Sequence, residues 1–235
     1  SWTTMTAAPA NVSNGGLAYP GTGDFIYAFP GTSTTTFWRY SISGNSWTAM
    51  TAAPGAIAWG ADLVSTRNDF IYAFDGGETT AFRRYSISGN SWATMAVAPA
   101  VIGDGSKLAY PGSGDFIYAY RGYFTASTLF WRYSISGNTW LAMTAAPTGN
   151  RYGALVATGG DFIYAFPGNA TTVFYRYSIL GNSWLTMTAD PAAVYGSALV
   201  YPGTGNFIYG FPGTSTTTFW RYSIALWATM ANTAG

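Results

Sequence analysis

Three observations predict an all-β fold, a five-bladed β-propeller of four-stranded antiparallel blades. The stretch DFIYAFPGTSTTTFWRYSISGNSW at Asp24–Trp47 returns, with edits, from Asp69, Asp115, Asp161 and Asn206. Its opening Phe recurs at Phe25, Phe70, Phe116, Phe162 and Phe207, a period of 45 or 46 residues. Units of that length stack because one unit cannot bury its apolar faces alone. Every apolar run is also of strand length and bounded by Gly, Pro, Asn or Ser, with no helical period anywhere. The repeat spans nearly all of residues 1–235, which reads as a single propeller domain. Its blades fall near 15–54, 60–99, 106–147, 153–191 and 197–224, the last joined by 1–6.

Each repeat supplies four strands. The first is a small-residue segment (Gly15 to Tyr19, GGLAY, in the first repeat), which suits strands crowded near a propeller axis. The second, FIYAF, places Phe25, Tyr27 and Phe29 on one side and Ile26 and Ala28 on the other. A strand apolar on both sides lies between two layers, as radially stacked blades provide. The third is FWRYSI. The fourth, SWTAM, has one large aromatic and then polar or small residues, which fits an outer edge. Trp2, Trp47, Trp92, Trp140, Trp184 and Trp227 are expected in the wedges where blades diverge. Gly44-Asn45 and its counterparts at 89–90, 137–138 and 181–182 read as two-residue hairpin loops between the third and fourth strands.

The ends of the chain break the count. Ser1–Pro9, SWTTMTAAP, matches SWTAMTAAP at Ser46–Pro54, so fourth strands number six against five of every other kind. In the last copy SISGNSW has become SIALW at Ser223–Trp227, and Ala225-Leu226 is a poor hairpin turn. The expectation is that Ser1–Thr6 closes the ring as the fourth strand of the fifth blade, removing an exposed edge. Leu226–Gly235 then runs off along the surface. The competing arrangement keeps the C-terminal strand in its own blade and frees the N-terminal one to join copies into a homo-oligomer.

An apolar strand ending in glycine, a Tyr farther on and a Trp seven positions after it (Phe29-Pro30-Gly31, Tyr40, Trp47) resembles the kelch family of β-propellers. The likeness covers all five repeats. The family's double glycine survives only as Gly76-Gly77; elsewhere Pro-Gly or Arg-Gly stands in its place. The resemblance implies four-stranded antiparallel blades, commonly six or seven of them.

Composition narrows the chemistry. Nearly half the chain is apolar and 18% is aromatic, which excludes disorder. Ten basic residues against nine acidic ones leave no footprint for nucleic acid, and no apolar run reaches the ~20 residues of a membrane span. Absence of Cys and His removes thiolate metal sites, thiol nucleophiles and the commonest general base. Galactose oxidase, a kelch-type enzyme, needs both residue types, and no Asp box of the sialidase kind is present. No spacing marks a paired acid and base. The chain therefore reads as non-enzymatic, with no catalytic residues, no metal site and no cofactor.

The repeated Asp24, Asp69, Asp115 and Asp161, and the repeated Arg39, Arg84, Arg132, Arg176 and Arg221, read as turn-forming acids and arginines lying along aromatic faces. Individuality lies in the loops that enter the first strands and join the second to the third. Candidate ligand-binding residues there are Trp59, Asp104, Arg151, Tyr152, Tyr195, Arg121 and Tyr123. Asn11, Asn14, Asp75, Glu78 and Phe124 share those loops. Aromatics, Arg and Asn at a mouth suit a glycan or a protein partner. The expected function is a recognition module working through this loop face. The alternative is a structural or assembly protein of a cell-surface or extracellular array. Few charges and many Thr, Ser, Tyr, Trp and Gly favour an extracellular or cell-surface setting.

Overall fold

The computed structural model describes residues 3–213 and 217–224. The first blade comprises β1 (Gly16–Ala18), β2 (Phe25–Phe29), β3 (Trp38–Ser41) and β4 (Ser46–Ala49). The second comprises β5 (Asp62–Ser65), β6 (Phe70–Phe74), β7 (Phe82–Ser86) and β8 (Ser91–Thr94). The third has β9 (Lys107–Ala109), β10 (Phe116–Tyr120), β11 (Phe130–Ser134) and β12 (Thr139–Ala142). The fourth has β13 (Ala154–Ala157), β14 (Phe162–Phe166), β15 (Tyr175–Ser178) and β16 (Ser183–Thr186). The fifth has β17 (Ala198–Val200), β18 (Phe207–Phe211) and β19 (Trp220–Ser223). Strands pair in chain order and antiparallel within each sheet. The five first strands surround one axial channel, so the architecture is a five-bladed β-propeller. No helix long and apolar enough to cross a membrane occurs among the described residues.

The core lies between blades rather than within one. Tyr27, Phe29 and Phe37 of the first blade pack against Ile71, Ala73 and Tyr85 of the second. The same positions build the next three junctions. At the first of them, Trp92 stacks on Phe29 at 5.7 Å and meets Phe37 edge-on at 5.0 Å. Trp140 and Trp184 take the same place at the next two junctions, which confirms the wedge expected of them. Trp2 and Trp227 lie outside the described residues.

The repeated polar residues are structural. Asp24 accepts from Ser41 Oγ at 2.5 Å and from the Ser43 amide at 2.7 Å, closing the β3–β4 hairpin. Asp69, Asp115 and Asp161 do the same in their blades. Arg39 lies 4.0 Å over the Phe25 ring, and the other four arginines repeat the contact on Phe70, Phe116, Phe162 and Phe207.

One turn differs from expectation. The loop between β3 and β4 has four residues, 42–45, not two, and Asn45 rather than Gly44 holds the left-handed conformation, φ 44°. The reason is a second task for the side chain. Asn45 Oδ1 accepts from Tyr40 OH at 2.7 Å and from the Thr6 amide at 2.8 Å, while Trp47 Nε1 donates to the Thr6 carbonyl at 3.0 Å. Asn90 with Trp92 holds Thr51 in the same way, Asn138 with Trp140 holds Ala96, and Asn182 with Trp184 holds Thr144. A glycine could make the turn but not this stitch between neighbouring blades.

The expected N-terminal closure is corrected within the described residues. Thr3–Thr6 belong to no strand, and the fifth sheet has three strands, ending at β19. Thr6 reaches the first blade, but among the described residues the junction between the fifth and first blades lacks the aromatic packing of the other four. Ser1 and the proposed surface run of Leu226–Gly235 lie outside the described residues.

Candidate functional site

The register Gly16↔Phe29 sets the start of a first strand beside the end of a second strand. Loops entering first strands and loops leaving second strands therefore share one face. Close backbone approach packs them there. A Cβ on Gly105 (φ +78°) would lie 2.0 Å from the Tyr152 amide nitrogen, and one on Gly122 would lie 2.0 Å from the Asp104 carbonyl. Only glycine fits either position.

That face brings the seven candidates to one rim. Tyr152 donates its hydroxyl to Asp104 Oδ2 at 2.7 Å, and its ring lies 4.6 Å from that of Tyr195. The Arg151 guanidinium sits between Phe124, at 4.5 Å, and Tyr152, at 5.0 Å. Arg121 covers the Tyr123 ring at 4.3 Å and is held from behind by the Val101 carbonyl, 2.7 Å from its Nε. Trp59 and Tyr123 flank Gly103, where a Cβ would meet them at 3.4 and 3.0 Å. The Asp104 bond, ahead of burial, raises the Tyr152 hydroxyl above the usual phenol range. Burial lowers the Arg121 guanidinium from its ordinary value, with Tyr123 opposing.

Not every loop residue belongs to this rim. Asp75 is buried and ion-paired with Arg83 at 3.0 Å, so it braces the second blade instead of facing a ligand. Burial raises its carboxyl and Arg83 opposes the shift.

Inside the rim lies a cavity of about 150 Å³ to which all five blades contribute, lined by Asn14, Gly60, Asp104, Lys107, Tyr152 and Ser197 among others. It opens onto the axial channel, about 520 Å³, between the five first strands. Lys107, the sole lysine of the chain, pairs there with Asp62 at 3.4 Å. Asp62 also accepts from the Leu108 amide at 2.7 Å. Its burial raises the carboxyl, with Lys107 as the largest opposing influence. Ser197 Oγ is buried without a hydrogen-bond partner.

Three supporting residues were not singled out from the sequence. Asn150 is fully buried, donates to the Gly105 carbonyl at 2.8 Å and accepts from the Gly153 amide at 3.1 Å, tying the third blade to the fourth. Ser106 joins Gly103 to Gly122 through its hydroxyl. Ser197 completes the set. The available signal was a departure from the repeat: Asn150 stands where the other entering loops carry Ile57, Ile102 and Val194.

The geometry defines a β-propeller with an axial mouth. Among solved structures the chain is similar to YjhT, with a TM-score of 0.71, 15% identity, and coverage of 88% of this chain and 74% of that one. No family model matches the chain. No curated protein matches it either. The propeller fold is thus established, and the kelch likeness stays a resemblance. One expectation is corrected. The match to YjhT is a match to a propeller, a fold that carries enzymes as well as binding modules, so the non-enzymatic reading is withdrawn.

Proposed function

We propose that the chain is a recognition module that takes a glycan at its axial mouth. The observation carrying this reading is the convergence on one cavity of Asp104, Lys107, Tyr152 and the unpartnered Ser197 hydroxyl, beside the exposed rings of Tyr195 and Phe124. Sugars ask for that mixture: rings against which C–H faces stack, and fixed polar groups for hydroxyls. A mouth of about 150 Å³ admits one ring, and the exposed aromatics outside it extend the contact. An extracellular or cell-surface setting, where glycans are displayed, agrees with this use.

A glycan array probed with the 235-residue protein tests the proposal. Binding to a defined set of sugars, lost in Tyr195→Ala, supports it; silence across the array contradicts it. A second reading, assembly into a larger array, draws on the three-stranded fifth sheet, whose β19 is the last strand among the described residues. Concentration-dependent rings or filaments in place of glycan binding favour that one.

A further inference from the structure

Every blade junction uses the same repeat positions, so each is a control for the others. The leucine facing the preceding blade is 6% exposed at Leu63, 5% at Leu108 and 7% at Leu155, but 67% at Leu17. The phenylalanine facing the following blade is 1% exposed at Phe37, Phe130 and Phe174 and 0% at Phe82, but 56% at Phe219. Leu17 and Phe219 are the two sides of one seam, between the first and fifth blades. First strands touch at β1–β5, β5–β9, β9–β13 and β13–β17, and no comparable contact joins β17 to β1. Apolar faces of this kind mark a surface that something covers.

The four intact junctions say what that cover is. Each of these faces, wherever it is buried, is buried by a sheet of the same repeat. The segment before the first blade is phased as the end of such a sheet. Thr6 meets Asn45 and Trp47 as Thr51 meets Asn90 and Trp92, and Ser1–Pro9 has a fourth-strand sequence. In sequence, Trp227–Met230 reads WATM, identical to Trp92–Met95 of a fourth strand, and in the repeat a fourth strand is followed by a first strand.

We propose that the seam is a slot for one further sheet of the same repeat. A sheet that fits the slot supplies three strands in repeat order after the fifth blade and takes the segment ending at Thr6 as its fourth. Repeat order favours this in-line sheet over a second copy of the chain, whose matching faces flank its own seam.

The chain has no cysteine, so single cysteines report the seam through thiol-labelling rates. Leu17→Cys and Phe219→Cys are compared in the 235-residue protein and in one extended after Gly235 by a copy of residues 10–43. Leu180→Cys, at a position 89% exposed, is the fast control, and Leu63→Cys is the slow control showing that the blades are folded. The expected result is labelling as fast as the Leu180 control in the 235-residue protein, and on the order of 100-fold slower in the extended one. Slow labelling without the extension means the ring shuts on itself. Slowing that depends on protein concentration means a second copy fills the seam. Fast labelling with the extension means the slot rejects the repeat. Each of these overturns the proposal.

Discussion

The Tyr152 hydroxyl lies 2.7 Å from Asp104 Oδ2, and that bond joins the loop entering the third blade to the loop entering the fourth. It fixes an aromatic ring and a carboxylate in one orientation at the mouth of the axial channel, beside Lys107 and Ser197. Neither residue belongs to the repeat. Preorganised polar groups lose little on binding, which is why such a bond is worth keeping at a site.

Tyr152→Phe removes the bond and keeps the ring. Ligand affinity should fall by about 5–10-fold, the worth of about one hydrogen bond, while Tm changes by under about 2 °C. Titration calorimetry beside a thermal melt checks both. An equal loss in affinity and in Tm would mean that the pair only holds the loops together.

Asp69→Ala deletes the acceptor for Ser86 Oγ and the Ser88 amide. The expected cost is about 1 kcal/mol, a Tm lower by roughly 2–4 °C. Bonds to Ser86, then Ser88, hold the Asp69 carboxyl below the usual carboxylate range. A depressed folded pKa contributes stability above the unfolded value, and that contribution is lost as pH falls through the folded one. The difference between Asp69→Ala and the parent should therefore be full at pH 7 and shrink in acid melts.

Asp190 stands where three other blades carry Ala53, Ala98 and Ala146, each donating its amide to a threonine carbonyl at 2.8 or 2.9 Å. It lines an apolar cavity of about 320 Å³ between the fourth and fifth blades, and burial pushes its carboxyl up to about 7. A raised folded pKa works against the fold: stability falls as pH rises from about 4 to 7, since only the folded form still holds the proton. Asp190→Ala should stabilise at pH 8 by about 1–2 kcal/mol after allowing for partial exposure, and by nothing at pH 4. Melts at the two pH values decide it.

Phe82→Ala and Phe219→Ala change the same repeat position at a packed junction and at the seam. The first should cost about 3–5 kcal/mol, because Phe82 is fully buried against Tyr133 and Trp140. The second should cost under about 1 kcal/mol. Comparable losses from denaturant unfolding would show that the seam is packed in solution.

Blade count, strand order and the inward aromatics were legible because five copies of one pattern average out local ambiguity. Phe25, Tyr27 and Phe29 alternate with Ile26 and Ala28 in a way only a sandwiched strand requires. The rim was legible by subtraction, as Asp104, Arg151, Tyr152 and Tyr195 are departures from the repeat. Asn45 misled because Gly-Asn reads as a two-residue turn, whereas its side chain is held by Tyr40 and Thr6 in a longer one. Ring closure misled too. Sequence identity said that Ser1–Pro9 is a fourth strand but not which sheet it completes, since that depends on contacts across a junction no local pattern records. Asn150 escaped because its role is to bridge backbone groups of two blades, a task set by three-dimensional proximity alone.

Whether Asp104 and Tyr195 hold ligand at the axial mouth is decided by a calorimetric titration of the best array glycan into the parent, Asp104→Asn and Tyr195→Ala. The expected result is a Kd weaker by about 10-fold or more in each variant, with Tm unchanged. Parental affinity in both variants would place the ligand elsewhere and contradict it.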